Sequence, residues 1–462
     1  METYKSKDNI KYSNIKTHVK AVSSECDLLG KQTPSNHYFE IDDINFDKSF
    51  IISSLDGLNS EIVEIKLMSI SNILMMIQKN KNVSMINSEA LMRIMKLIEP
   101  EETCEKSLFF FGILTYISDR FNQFFYRNDT FFSIINSNFS LMEYEAKQHI
   151  FTILANLFHD DDNFPIEETN IVPLILNVSN ENYSTEYFRL ISLMISLRSI
   201  SSQTFTKLLK LLMKTLTLEN KINTDIIIYS LFGIKNSIQY HEAQVIIGIQ
   251  SNQKIVDFLL NLLTTKIKII IIQTLELLDK LLCSSIDFYS IMINFDFPKI
   301  ARNLITFADQ EIVETSMNTL TSYISSCPYF GEAEETIFLD FDFYDCFNSG
   351  TFSLKISTIR LLQQMIRYIP SNFALNLLSQ DFLLEISELL YSNDIASKIT
   401  CYNFLGASLL TFNNDEIISR IRFIIYTNDV QNQIKEDTLS PISDISEKSS
   451  LFYQLISEHE KL

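Results

Sequence analysis

The sequence predicts an all-α protein built as a solenoid of about nine helical units, and three observations carry that expectation. Long amphipathic stretches begin near Ser60, Glu102, Leu141, Thr185, Thr224, Lys266, Gln310, Thr351 and Asp394. Their return every ~42 residues is the spacing of stacked helical repeats. Hydrophobic residues make up 46% of the chain and Phe alone counts 35, whereas Gly and Pro number 8 each, too few turns for a β fold of this length. The 462 residues also exceed the size at which one compact core keeps growing, so an extended array is the simplest way to bury them.

The elements follow in order. Residues 1–48 lack helical periodicity and scatter Lys5, Lys7, Lys11, Lys16 and Lys20 among polar residues, which predicts a mostly disordered, mildly basic arm. Residues 49–427 form the solenoid. Ser140 with Glu143 predicts a capping box, Asp309 stands before a long helix, and Pro100, Pro328 and Pro370 follow expected helix ends. Residues 428–462 read as an acidic linker containing Ser440-Pro441, then a short amphipathic helix from Leu451 to Ile456. Met68, Met75, Met76, Met85, Met92 and Met95 crowd the first unit at helical spacing, as pliable core at a capping repeat.

Within a unit the order is short, medium and long helix, as in Ser371 to Leu378, Asp381 to Tyr391 and Asp394 to Thr411. The run Ile153, Leu154, Ala155, Asn156, Leu157 resembles the end of the third helix of an armadillo repeat, and Phe382 to Leu390 resembles its second helix. The chain is thus similar to the armadillo-type (ARM/HEAT-like) superfamily over the whole of the expected solenoid. That resemblance implies a right-handed superhelix whose third helices line a groove for partners. Armadillo import adaptors hold basic peptides with a ladder of Trp and Asn; this chain has no Trp. Thr152 stands four residues before Asn156, and Glu314 before Asn318, so that chemistry is missing.

A third helix touching its own unit and both neighbours keeps only a narrow polar stripe. The stripes fall at Thr152 and Asn156, with Glu145 and Gln148; at Glu276 and Lys280; at Asn318 and Ser322; and at Arg360, Gln364 and Arg367. Glu276, Asn318 and Arg360 stand one repeat apart, as do Lys280, Ser322 and Gln364, which predicts two rows on one face. These nine residues, Thr152, Asn156, Glu276, Lys280, Asn318, Ser322, Arg360, Gln364 and Arg367, are the candidate partner-binding set.

Acidic residues outnumber basic ones 57 to 38, a net charge of -19, which opposes docking on nucleic acid or an anionic bilayer and favours a basic protein or peptide. Two acidic patches could serve such a partner. One runs from Glu332 through Asp345 among Phe338, Phe341, Phe343, Tyr344 and Phe347; the other joins Asp160, Asp161, Asp162, Glu167 and Glu168. The plainer account is that the aromatics are core and the acids cap helices. Cys26, Cys104, Cys283, Cys327, Cys346 and Cys401 are scattered without a CxxC pair, and His149 and His159 stand well apart, so neither a metal site nor a cofactor is expected and the cysteines read as small core residues. Nucleotide-binding and hydrolase motifs are absent. The expectation is a non-catalytic protein-interaction scaffold of the cytoplasm or nucleus. An adaptor for basic cargo and a regulatory subunit of an enzyme complex are the alternatives.

Overall fold

The computed structural model describes residues 48–459, apart from 81–85, 87, 99–102, 118, 127–128, 162, 179–182, 218–222, 329, 339–340, 370–373, 376, 413–414 and 428. The expected basic arm therefore lies outside the described residues, except for Lys48, which begins a helix. The described residues hold helices and no strand, and they divide at Gly248 into two compact units.

The first unit contains α1 (Lys48–Gly57), α2 (Val63–Asn80), α3 (Ser88–Lys96), α4 (Cys104–Ile117), α5 (Asp119–Tyr126), α6 (Asp129–Asn138), α7 (Tyr144–Asp160), α8 (Val172–Leu176), α9 (Thr185–Met194), α10 (Ser202–Leu216) and α11 (Thr224–Gln250), which ends at the division. The second contains α12 (Gln253–Leu262), α13 (Lys268–Ser284), α14 (Asp287–Asn294), α15 (Phe297–Ile305), α16 (Gln310–Ser326), α17 (Glu332–Phe338), α18 (Phe343–Ser349), α19 (Phe352–Met365), α20 (Gln380–Ser387), α21 (Ile395–Thr411), α22 (Asp415–Thr427), α23 (Val430–Thr438) and α24 (Ser443–His459). A helix begins at or just after each of the nine expected starts.

The caps explain the boundaries. Asp309 accepts from the backbone N–H groups of Glu311 and Ile312, and Ser184, Ser201, Thr351, Ser379 and Asp394 cap α9, α10, α19, α20 and α21 in the same manner. Each such cap is worth about 1 kcal/mol. The Ser140–Glu143 box does not form. Helix α7 starts at Tyr144, and Glu143 occupies the cap position without a side-chain bond. Asp296 and Asp429 adopt left-handed backbone at φ 62° and 54° to turn the chain between the first and second helices of a unit, a conformation that Asp tolerates better than most residues.

In the second unit the long helices form a ladder, α13 on α16, α16 on α19, α19 on α21 and α21 on α24. Helices such as Lys268–Ser284, with Ile270, Ile271, Leu275, Leu278 and Leu282 all buried, must be covered on both flanks, and only a stack supplies two neighbours. The ladder continues beyond its expected end. Where the sequence suggested an acidic linker and a short terminal helix, α23 and α24 complete one more three-helix group with α22, and α24 packs against α21 and α23.

The first unit has its own ladder, α2 on α4, α4 on α7 and α7 on α9. Helix α9 meets α11 at Gly233, where a Cβ would lie 2.7 Å from Cα of Ser192; glycine permits that approach. Helix α11 bends at His241, whose backbone leaves helical geometry and whose ring stacks on Phe205 at 4.1 Å. The methionine cluster is mixed: Met76 and Met95 are buried, and Met68 is 58% exposed.

Burial lowers the His149 imidazole from its usual value to about 4, against the opposing pull of Glu145, and the ring packs edge-on to Phe109. Unfolded, that imidazole titrates near pH 6.5. Its contribution is therefore complete above about pH 6.5 and is lost as the pH falls from there toward 4, at up to about 1.4 kcal/mol per pH unit. Thermal melts between pH 7 and 4.5 are expected to show a steeper loss in the wild-type protein than in His149→Leu. Parallel slopes would remove His149 as the cause.

Candidate partner-binding surface

On the long helices of the second unit the polar stripe reaches solvent. Glu276, Lys280, Asn318, Ser322 and Gln364 are half-buried, and Arg360 and Arg367 are exposed. Burial follows the same rhythm beyond the expected residues. Cys283, Ser325 and Leu410 are exposed, and Asn403 and Ala407 are half-buried. Three series result: Glu276, Asn318, Arg360, Asn403; Lys280, Ser322, Gln364, Ala407; and Cys283, Ser325, Arg367, Leu410, with successive members one repeat apart. On each helix the three members stand at i, i+4 and i+7, which is one face. Five of these twelve residues were not in the expected set. The same period, carried one turn and one unit further, points to all of them.

Cross-helix hydrogen bonds fasten the ladder beside this face. Ser322 Oγ donates to Asp279 Oδ1 at 2.6 Å, Thr319 Oγ1 donates to the Leu275 carbonyl at 3.1 Å, and Ser353 Oγ donates to the Glu314 carboxylate. Asp279 is largely buried, which pushes its carboxyl above the usual range, while the Ser322 bond and Lys280 pull the other way. Two of the acids flanking the face, Asp279 and Glu314, are therefore engaged in holding helices together. Cys283 Sγ lies 3.3 Å from Ser322 Oγ, so this cysteine is on the surface and not in the core, unlike Cys104, Cys327 and Cys401.

Thr152 and Asn156 are corrected by the structure: they are 2% and 0% exposed and do not belong to an open surface. Thr152 Oγ1 donates to the Gln148 carbonyl, Asn156 Nδ2 donates to Thr115 Oγ1 at 3.2 Å, and Arg189 Nη2 donates to Asn156 Oδ1 at 3.0 Å. The polar face of α7 is thus a hydrogen-bonded seam between α4 and α9. Burial lowers the Arg189 guanidinium to about 10, against the opposing influence of Tyr229 and Glu186. Helical spacing identifies a polar face; whether a neighbouring helix covers it depends on how closely the long helices approach.

The two acidic patches follow the plainer account in part, although Tyr344 is 40% exposed and Phe341 half-buried. Phe338, Phe343 and Phe347 are buried, Asp342 caps α18 by accepting from Asp345 N–H, and Glu334 is itself 2% exposed. Asp340 lies outside the described residues. In the second patch the Glu167 carboxylate accepts from Ser201 N–H at 3.1 Å, while Asp162 lies outside the described residues. Among the described residues no group of His, Cys, Asp and Glu is placed to hold a metal ion, and no helix is long and apolar enough to cross a membrane.

No protein-family model matches the chain, and no curated protein matches it. Among solved structures the chain is similar to an engineered protein at 12% identity, covering 88% of this chain and 99% of that one with a TM-score of 0.67. The fold is of the armadillo helical-repeat type. The repeating three-helix groups of the second unit, each closed by a long helix one repeat after the last, are its local expression. Similarity extends to a designed armadillo repeat protein (9% identity, 54% of this chain and 99% of that one, TM-score 0.44) and to a computationally designed armadillo repeat protein for modular peptide recognition (9%, 57% and 99%, TM-score 0.37).

Proposed function

We propose that this armadillo-type chain is a non-catalytic protein-interaction scaffold, and that a partner protein or extended peptide lies across the exposed face of α13, α16, α19 and α21. One observation carries this reading. The face keeps polar and charged side chains open to solvent in three periodic series, while the acids beside it are engaged in cross-helix bonds. Asn403 and Asn318 offer amides that can bond an extended backbone, and Leu410, 69% exposed, offers apolar area.

The test separates binding from folding. Alanine at Lys280, Asn318, Arg360 and Arg367 together removes only exposed or half-buried groups, so the melting temperature is expected to stay within about 2 °C of wild type, as surface changes usually allow. Recovery of the partners that wild-type protein captures from cell extract is expected to fall at least tenfold in quantitative mass spectrometry. Unchanged recovery with this variant would remove the face as the binding surface.

A further inference from the structure

The candidate face differs in charge from the protein that carries it. The whole chain has a net charge of -19, yet the three series contain Lys280, Arg360 and Arg367 against the single acid Glu276. Arg360 and Arg367 are both exposed, and among the described residues neither has an ion pair or hydrogen bond. Two other arginines are engaged, Arg93 with Glu89, and Arg420 with Glu416 and with the carbonyls of Leu375 and Leu378, whereas the exposed Arg198, just after α9, has no second arginine two turns away. On the neighbouring helix α16, Glu314 accepts from Ser353 and makes no ion pair with either arginine. In a chain with 57 carboxylates, two neighbouring arginines left without one stand out.

Their spacing is informative. Seven residues of helix separate them by about 10 Å along the axis, which is the reach of about three extended residues. On the adjoining helix α21, Asn403, Ala407 and Leu410 occupy the matching positions, and Leu410 is 69% exposed. The face therefore offers two guanidinium forks, an amide and an apolar step. Guanidinium groups bind carboxylates in a bidentate manner. At physiological salt the field of distant acids is screened beyond about 8 Å, so at contact distance the arginines, and not the net charge, decide what settles there. Two arginines within an acidic protein do not make a track for a nucleic-acid backbone.

We infer that the segment bound here is acidic: an extended peptide with carboxylates about three residues apart over Arg360 and Arg367, and an aliphatic side chain against Leu410. This rests on the proposed binding face and specifies its ligand, in place of the basic partner that net charge alone favours.

The experiment is a selection of random dodecapeptides displayed on phage against the full-length protein, followed by fluorescence anisotropy with the selected peptides at physiological salt. Expected are peptides enriched in Asp and Glu at a spacing of three with Leu, Ile or Val nearby. Their affinity should drop at least tenfold for Arg360→Glu with Arg367→Glu, fall by less for the double Lys variant, which keeps the charge but not the fork, and change little for Glu276→Gln. Arg360→Gln with Arg367→Gln serves if the Glu variant melts early. Basic or neutral peptides that lose affinity on Leu410→Asp but not on the arginine reversal would overturn the acidic ligand and leave the binding face standing. Selected peptides indifferent to both changes, or no selected peptide, would overturn both. Peptides that bind only after phosphorylation would replace carboxylates by phosphate and overturn the proposal as stated.

Discussion

Asp437→Ala is expected to release the C-terminal helices from the rest of the second unit. The carboxylate is 5% exposed and accepts three bonds, from Lys398 Nζ at 2.7 Å, Tyr402 Oη at 2.7 Å and Gln433 Nε2 at 3.0 Å. Lys398 and Tyr402 belong to α21, while Asp437 and Gln433 belong to α23. The side chains of Lys398 and Asp437 are 12% and 7% exposed, so alanine leaves a nearly buried ammonium without its counter-charge, at a cost of about 3–5 kcal/mol. Hydrogen exchange in α22, α23 and α24 should rise by orders of magnitude, with little change in α13. Exchanging both partners, Lys398→Met with Asp437→Leu, should recover most of the loss, because no charge then stays behind. Uniform exchange along the unit, or a double variant as weak as the single one, would refute a local clasp.

Glu334→Ala should injure the middle of the same unit to a similar degree. Its Oε1 accepts from Tyr289 Oη at 2.5 Å and Tyr323 Oη at 3.1 Å, and its Oε2 accepts from the Gly331 N–H at 3.0 Å. Cys327 Sγ in turn donates to Tyr289 Oη. One carboxylate therefore gathers α14, α16 and α17, and burial pushes both phenols above their usual range. Alanine strands two buried phenol donors, each worth roughly 1–3 kcal/mol when unpaired, and frees the part-buried Gly331 N–H, so a loss on the order of 4 kcal/mol is expected in denaturant melts. Gln keeps the shape and one acceptor, so Glu334→Gln should lose about half as much. Equal losses for the two variants would mean that packing, and not the acceptor, is what matters.

The long helices were legible in the sequence because burial on both flanks forces apolar residues to recur on schedule. The C-terminal group was not. Helix α23, VQNQIKEDT, buries only Val430, Ile434 and Asp437, and one of those three is an acid whose burial depends on Lys398 across the interface. Helix α24 begins at Ser443, later than the step from Phe352 of α19 to Ile395 of α21 would place it, and so falls off the beat of the preceding units. The candidate face was half legible. Arg360, Gln364 and Arg367 follow from helical spacing, while Asn403, Ala407 and Leu410 lie on the same period one unit further but have no charge to draw attention. Thr152 and Asn156 show the opposite failure, since the polar pattern was present and the solvent was not.

The buried seam through Thr115, Asn156 and Arg189 bears on how the chain avoids confusing its own parts. Helices with interchangeable greasy flanks can stack out of order, and a chain of near-identical modules is exposed to that error while it folds. A helix without the Asn156 amide at that level would take one acceptor from the buried Arg189 guanidinium, a mismatch of roughly 1.5–3 kcal/mol. The seam thus acts as a key cut for a single lock, fixing which module follows which.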